Sequence, residues 1–289
     1  MSQFTIFLTT AAICLGLAHP AASQTLSSQI ARAEAAAANV MGRDPERLKG
    51  WRPFGGDEPL MGQHWSDPNA PDYTSGQAID PARPSNWMFT DIAGKPSLVA
   101  LSYNIRIAPG EALPEGFVGS SDVWHVHDMS AFINAATETR PVLGWLGRGW
   151  LNREVAAKDG KTRLAMVHLW LIDNPEGRFA SHNPVLPYLD LGLPASWAGS
   201  LDTARGVALA TNDGCAEALD GKLWVAGSTR ATKRTLHGIC DQLADFVRGA
   251  IPDGRDALNA HGRGAWAKLQ QEMDARLSPD DKRRIAAIA

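Results

Sequence analysis

A surplus of one charge is the first thing missing from this chain: 28 Lys+Arg stand against 31 Asp+Glu over 289 residues, a formal net charge of −3. Without a basic surplus there is no electrostatic footprint for a polyanion, so nucleic acid is not an expected partner. Long apolar runs are also missing. The stretch from Phe4 to Leu17 is too short to span a bilayer, and no spanning segment follows it. Neither G-x-x-x-x-G-K nor G-x-G-x-x-G occurs, which excludes the common phosphate-loop and dinucleotide sites. Gly119-Ser120-Ser121-Asp122 lacks the second glycine of a G-x-S-x-G elbow, which removes the usual serine hydrolase. Carboxylates such as Asp57-Glu58, Glu111 and Glu115 carry no spacing that marks a glycosidase pair.

Cysteine is scarce, with three residues in all. Residues 1–23 hold no charged side chain, and Ala21 and Ser23 occupy the −3 and −1 positions of a cleavage site before Gln24. This reads as a signal peptide, so the expected location is periplasmic or secreted. Ile13 stands where a lipoprotein has a small residue before its cysteine, so no lipid anchor is expected at Cys14. Cleavage removes Cys14 and His19 and leaves Cys215 and Cys240 in a compartment where disulfides persist. A bond between them closes the loop 215–240, for roughly 3–4 kcal/mol of stabilisation. The alternative is a metal held by Cys215, His237 and Cys240, since the last two lie three apart on one helix face.

An apolar content of 44% is ample for a folded core, in one large domain or two smaller ones. Ser27 to Met41 is Ala-rich and bounded by Ser and Gly42, which predicts an N-terminal helix. From about 50 to 193 the chain is rich in Gly, Pro and Trp and reads as strands and loops. The strand candidates there are Asn86 to Thr90, Ser97 to Ile107, Asp122 to His127 and Thr162 to Ile172. From Pro194 onward the pattern is helical. One apolar stripe runs from Leu236 to Ala250 and ends at Pro252 and Gly254, and a second runs from Leu258 to Leu277. Ser278-Pro279-Asp280-Asp281 opens a last helix. The expected organisation is a signal peptide (1–23), an N-terminal helix with a β-rich, histidine-containing domain (24–193), and a helical region packed on it (194–289). The expected fold class is α+β, with a Trp-rich antiparallel β-sandwich or a cupin-like barrel.

Histidine carries the chemistry. In Trp124-His125-Val126-His127, strand alternation places both imidazoles on one face, about 6–7 Å apart. In Met166-Val167-His168-Leu169-Trp170 a histidine sits inside an apolar strand, where both ring nitrogens need partners and a metal supplies one. His64, in Met61-Gly62-Gln63-His64-Trp65, is the candidate fourth ligand. His182 and Asp128 are candidate outer-shell or proton-handling groups. Each has a plainer reading as a hydrogen-bonded core or turn residue, and Trp residues inside apolar runs read as core anchors more readily than as a sugar-stacking cleft.

The segments MGQHW (61–65), IDPARPSNWMF (79–89), SLVALSY (97–103), DVWHVHD (122–128) and HLWLIDNPEGRFASHNP (168–184) resemble a group of exported bacterial proteins of uncharacterised function. Such proteins have a Gly-x-His-Tyr block, a strand with a Glu near the place of Ser102, and a His-x-Trp strand ending in Asn-Pro-x-Gly-x-Phe. The resemblance implies a site without naming a reaction, and with Ser102 in that place it brings no carboxylate ligand. Gly119 and His125-x-His127 resemble the first cupin motif. The Glu of that motif is replaced by Ala131 and Phe132, and the second motif is stretched between Gly177 and His182.

The expectation is therefore an exported protein binding one transition metal through His64, His125, His127 and His168, for storage, delivery or sensing. Imidazole ligands suit Zn, Cu, Fe, Mn or Ni alike. A metal-dependent, cupin-like oxygenase or hydrolase and a carbohydrate-binding module are the alternatives.

Overall fold

The computed structural model describes residues 25–55, 58–151 and 159–286. The expected signal peptide, with Cys14 and His19, lies outside the described residues, as does Asp57. Helix α1 (Leu26–Ala38) is capped by Thr25, whose side chain accepts from the Ser28 N–H; it begins near the expected start at Ser27 and closes at Ala38, short of the expected end at Met41. Seven strands follow in one sheet. They are β1 (Arg52–Phe54), β2 (Gln63–Ser66), β3 (Tyr73–Thr74), β4 (Asn86–Ile92), β5 (Lys95–Ile107), β6 (His125–Asp128) and β7 (Arg163–Trp170).

The sheet runs in the order β1-β2-β4-β5-β7-β6, all antiparallel, with short β3 added parallel to the end of β5. It is open, with β1 and β6 at opposite ends. The cupin-like barrel expected from the sequence is thus not formed. All seven described strands belong to this sheet, so the described residues make no sandwich either. The two long strand candidates form β5 and β7, which are buried along most of their length on both faces, and such a strand does not reveal whether a second sheet or helices cover it.

β4 and β5 form a hairpin whose two-residue turn, Ala93-Gly94, has both φ values positive. A β-bulge follows. Met88 pairs with Ala100 and Phe89 with Leu98, leaving Val99 as the extra residue. Gly62 permits the close passage of β2 here, because a Cβ at that position would fall 2.4 Å from the Phe89 carbonyl oxygen.

Alternation then sorts the sheet into two faces. Trp87, Leu101, Tyr103, Ile105, Ile107, Ala165, Val167 and Leu169 bury one face against Ala33 and Ala37 of α1 and against Phe117 and Phe179. Trp51, Trp65 and Trp124 join the same core. The other face carries His64, Asn86, Ser102, Asn104, His125, Met166 and His168, set in register across β2, β4, β5, β7 and β6.

The connection from β6 to β7 holds a helical pair that the sequence reading took for loop. Asp128 caps α2 (Met129–Thr139) by accepting from the Ser130 and Ala131 N–H groups, and α3 (Pro141–Leu151) starts on a proline. The apolar spacing in this stretch was legible as helix, and the Trp-rich surroundings masked it. A short α4 (Leu186–Asp190) lays Leu186 against Met88 and Trp170.

Helices α5 (Leu201–Ala208), α6 (Gly214–Ala226), α7 (Arg230–Gly249) and α8 (Arg255–Arg276) form a second apolar core, and α9 (Pro279–Ala286) ends the described chain. Leu60 and Tyr188 reach into this core from the β-rich part. At the α5–α8 crossing Gly206 and Gly262 meet so closely that a Cβ on Gly206 would lie 1.8 Å from the Gly262 carbonyl oxygen. No helix among the described residues is long and apolar enough to cross a membrane.

Cys215 on α6 and Cys240 on α7 stand at disulfide distance, with their Cα atoms 5.8 Å apart. His237 does not join them, since its Nε2 lies 2.9 Å from Asp220 Oδ1. Cys240 is fully buried in the helical core, so the bond fastens α6 to α7 from within. Reduction, or replacing both cysteines by Ala, is expected to lower stability by about 3–4 kcal/mol. Urea unfolding with and without reductant reads this directly, and an unchanged midpoint would show that the crosslink contributes nothing.

Candidate metal centre

On the polar face of the sheet a buried ladder of side chains leads to the histidines. Asn86 Nδ2 donates to Ser66 Oγ, Asn104 Nδ2 to Asn86 Oδ1, and Ser102 Oγ to Asn104 Oδ1 at 2.7 Å. Ser102 is directly opposite His168 in the ladder of β5 and β7. These amides and hydroxyls satisfy one another, which fixes the strands that carry the rings.

His168 is fully buried. Its Nδ1 lies 2.9 Å from the Ser181 carbonyl oxygen, an acceptor only, so Nδ1 carries the proton and Nε2 of the neutral ring presents a bare lone pair. That is the orientation in which a second partner holds a metal-binding imidazole. The loop after β7 makes this possible. Trp170 donates from Nε1 to the Ala180 carbonyl at 2.7 Å, and Asn174 donates to the His182 carbonyl at 2.8 Å. Asn183, fully buried, donates from its backbone to Leu60 and from its side chain to Asp173, and accepts from Val185. The block NPEGRFASHNP is thereby folded so that Ser181 points its carbonyl at the ring.

The Nε2 atoms of His64 and His168 are 3.4 Å apart. A good N–H···N hydrogen bond is shorter, near 2.9–3.0 Å. Two nitrogens bound tetrahedrally to one ion at about 2.0–2.1 Å lie about 3.3–3.4 Å from each other. The observed separation is thus long for the first relation and matches the second.

His125 completes the inner group. Its ring centroid is 4.8 Å from that of His168 and 5.3 Å from that of His127, which stands perpendicular to it. Both ring nitrogens of His125 are buried without a hydrogen-bond partner. An orphaned polar atom of this kind costs on the order of 1–3 kcal/mol. His127 sits nearer the solvent at the same strand end. His182 belongs to the group as well: its Nδ1 is 2.9 Å from Ser181 Oγ, and its nearness helps to lower His125 and His168.

Burial is the main cause of the electrostatics here. Desolvation, with His127 adding to it, pushes His64 down to about 4. Desolvation followed by His127, His182 and His64 takes His125 to about 3. His182 falls to about 4 through burial and Arg205. His168 lies well below the usual range for the same first reason, and His127 is lowered too. At neutral pH the cluster is a set of uncharged imidazoles, the form that binds metals.

The rings of His64, His125, His127, His168 and His182 are therefore in one neighbourhood, whereas His237 stands apart against Asp220. The donor atoms are not already arrayed around a point: among the described residues no group of three or more His, Cys, Asp or Glu is set to hold an ion. The Nε2 atoms of His64 and His168 approach to 3.4 Å, while the nitrogens of His125 meet no hydrogen-bond partner. Asp128 is occupied as the cap of α2. The Ser181 carbonyl and Met166, which pairs with His125 across the ladder, escaped sequence reading. A backbone acceptor has no sequence signal, and a Met in an apolar strand reads as packing. No known family model, curated protein or solved structure matches this chain.

Proposed function

We propose that this protein binds one transition-metal ion through His64, His125, His127 and His168, and that it works as an exported metal store, carrier or sensor. The observation that carries the reading is the 3.4 Å approach of the His64 and His168 Nε2 atoms, with the Ser181 carbonyl holding the His168 lone pair toward His64. Without metal, His64 Nε2–H donates weakly to His168 Nε2. With metal, the His64 proton moves to Nδ1 and both Nε2 lone pairs serve the ion. His125 and His127 turn their rings to complete the coordination, which gives the unpartnered nitrogens of His125 a ligand.

Storage or delivery is favoured over catalysis by the absence of a free carboxylate in the described cluster, since Asp128 is held by backbone N–H groups. The export half of the proposal rests on residues 1–23, whose uncharged, apolar composition is that of a signal peptide.

The test is elemental analysis and calorimetric titration of protein purified without a polyhistidine tag and stripped with chelator. One equivalent of Zn(II) or Cu(II) is expected to bind per chain, and His125→Ala with His127→Ala is expected to weaken uptake by about 100-fold or more. Full uptake by that double variant would show that the ligand assignment is wrong.

A further inference from the structure

We infer that the centre is suited to copper in its cuprous state, with the Met166 thioether as its soft donor. This rests on the metal-centre reading above and gives it a metal. Met166 is only 4% exposed, yet it belongs to none of the apolar clusters formed by the described residues. Its place in the sheet explains why. In register it stands between Asn104 of β5 and His125 of β6, and two residues along β7 on the same face is His168. The amide of Asn104 is itself tied into the polar ladder. A buried Met166 thus has an amide and two imidazoles as its register neighbours on one face of the sheet.

Met88 offers a contrast. It is also buried and stands opposite His64, but it packs with Met61, Val99, Ala100, Trp170 and Leu186. Met88 thus belongs to an apolar cluster, whereas among the described residues Met166 belongs to none. Hard and borderline ions gain little from a thioether, whereas cuprous ion combines thioether sulfur with imidazole nitrogen and accepts low coordination numbers. His64, His168 and Met166, joined by His125, meet that preference with neutral donors alone. The neutral set suits a monovalent ion better than a divalent one, whose second charge is left uncompensated in a buried site. Copper enters and leaves as Cu(I) in this scheme, so no electron transfer is involved.

The experiment is anaerobic competition between the full mature chain and bicinchoninate for Cu(I), with Zn(II) titration in parallel, for wild type and Met166→Leu. Leu is a volume-conserving swap that cores tolerate, and far-ultraviolet circular dichroism checks the fold. Wild type is expected to withdraw one Cu(I) per chain from the chelator. Met166→Leu should lose about tenfold or more in Cu(I) affinity while holding Zn(II) within about twofold. A sulfur scatterer in the copper X-ray absorption spectrum should disappear with the substitution. Equal losses for both metals, or none for Cu(I), would overturn the role of Met166. Binding of Zn(II) without Cu(I) would overturn the copper assignment and leave the metal centre standing, whereas binding of neither metal would remove the centre itself.

Discussion

Replacing His168 by Gln is expected to lower metal affinity by about 100-fold or more, the largest effect of any single substitution in the chain. Three consequences converge on that one ring. Its Nε2 is half of the 3.4 Å pair with His64, its Nδ1–H satisfies the Ser181 carbonyl, and its position centres the group between His64 and His125. The apo-protein should weaken as well, by roughly 1–3 kcal/mol, because the part-buried Ser181 carbonyl is left with a poorly placed donor. His64→Gln supplies the necessary companion. It removes the other lone pair but leaves the Ser181 contact intact, so affinity should fall similarly with a smaller loss of stability. Calorimetric titration and urea unfolding of both variants separate the two effects. If His64→Gln binds metal as tightly as wild type, the facing nitrogens are a hydrogen bond and nothing more.

The second large effect is on acid stability. His64 and His182 are pushed down to about 4 and His125 to about 3 in the folded protein, from an ordinary value near 6.5. Between about pH 6.5 and pH 4 the unfolded chain therefore takes up protons that the folded chain refuses. Stability contributed by these neutral rings is fully present above about pH 7 and is lost progressively as pH falls toward 4, at ~1.4 kcal/mol per pKa unit for a well-buried group. Asp122 and Asp190, raised by burial to about 6, act in the opposite sense over part of the same range. Comparison with a variant cancels them. Wild type should lose clearly more stability between pH 7.5 and pH 5 than His64→Gln with His125→Gln, measured by urea midpoints without metal. Parallel losses in the two proteins would mean that these rings are not held neutral by the fold. Folded, metal-loaded protein should hold its ion through this window and release it only as pH falls to about 4 and below, where protons begin to compete for the same lone pairs.

How much of this was readable in the chain follows from where the signals live. Strand alternation in Trp124-His125-Val126-His127 and around His168 is a local property, and it placed the rings on one face. The helices from 230 to 286 were legible because their apolar stripes and caps are local too. The meeting of β2 with β7 is different. His64 and His168 lie 104 residues apart, and what joins them is a strand order with β4 and β5 between. Nothing local to MGQHW encodes that order. The closed barrel failed for a related reason: a strand buried on both faces looks alike in sequence whether helices or a second sheet cover it. Ala136 and Ile133 on α2 followed helical spacing, but the Gly and Trp residues of α3 drew the whole connection toward a loop reading. Gly144 serves a different purpose there, giving α3 room against Thr137, from whose Cα a Cβ would lie 2.3 Å. The Trp residues, finally, divide by packing. Trp87 is buried in the sheet's core with Trp51, Trp65 and Trp124 partly buried against it, whereas Trp145 on α3 is 71% exposed.

Cobalt(II) titration of the metal-free chain, followed by visible absorption, tests the central claim most directly, because the intensity of its ligand-field bands reports coordination geometry. Imidazoles gathered from β2, β6 and β7 around one ion predict an intense four-coordinate spectrum that saturates at one equivalent and vanishes in His64→Gln with His168→Gln. A weak, six-coordinate spectrum that fails to saturate, or one that survives in the double variant, would contradict the proposed centre.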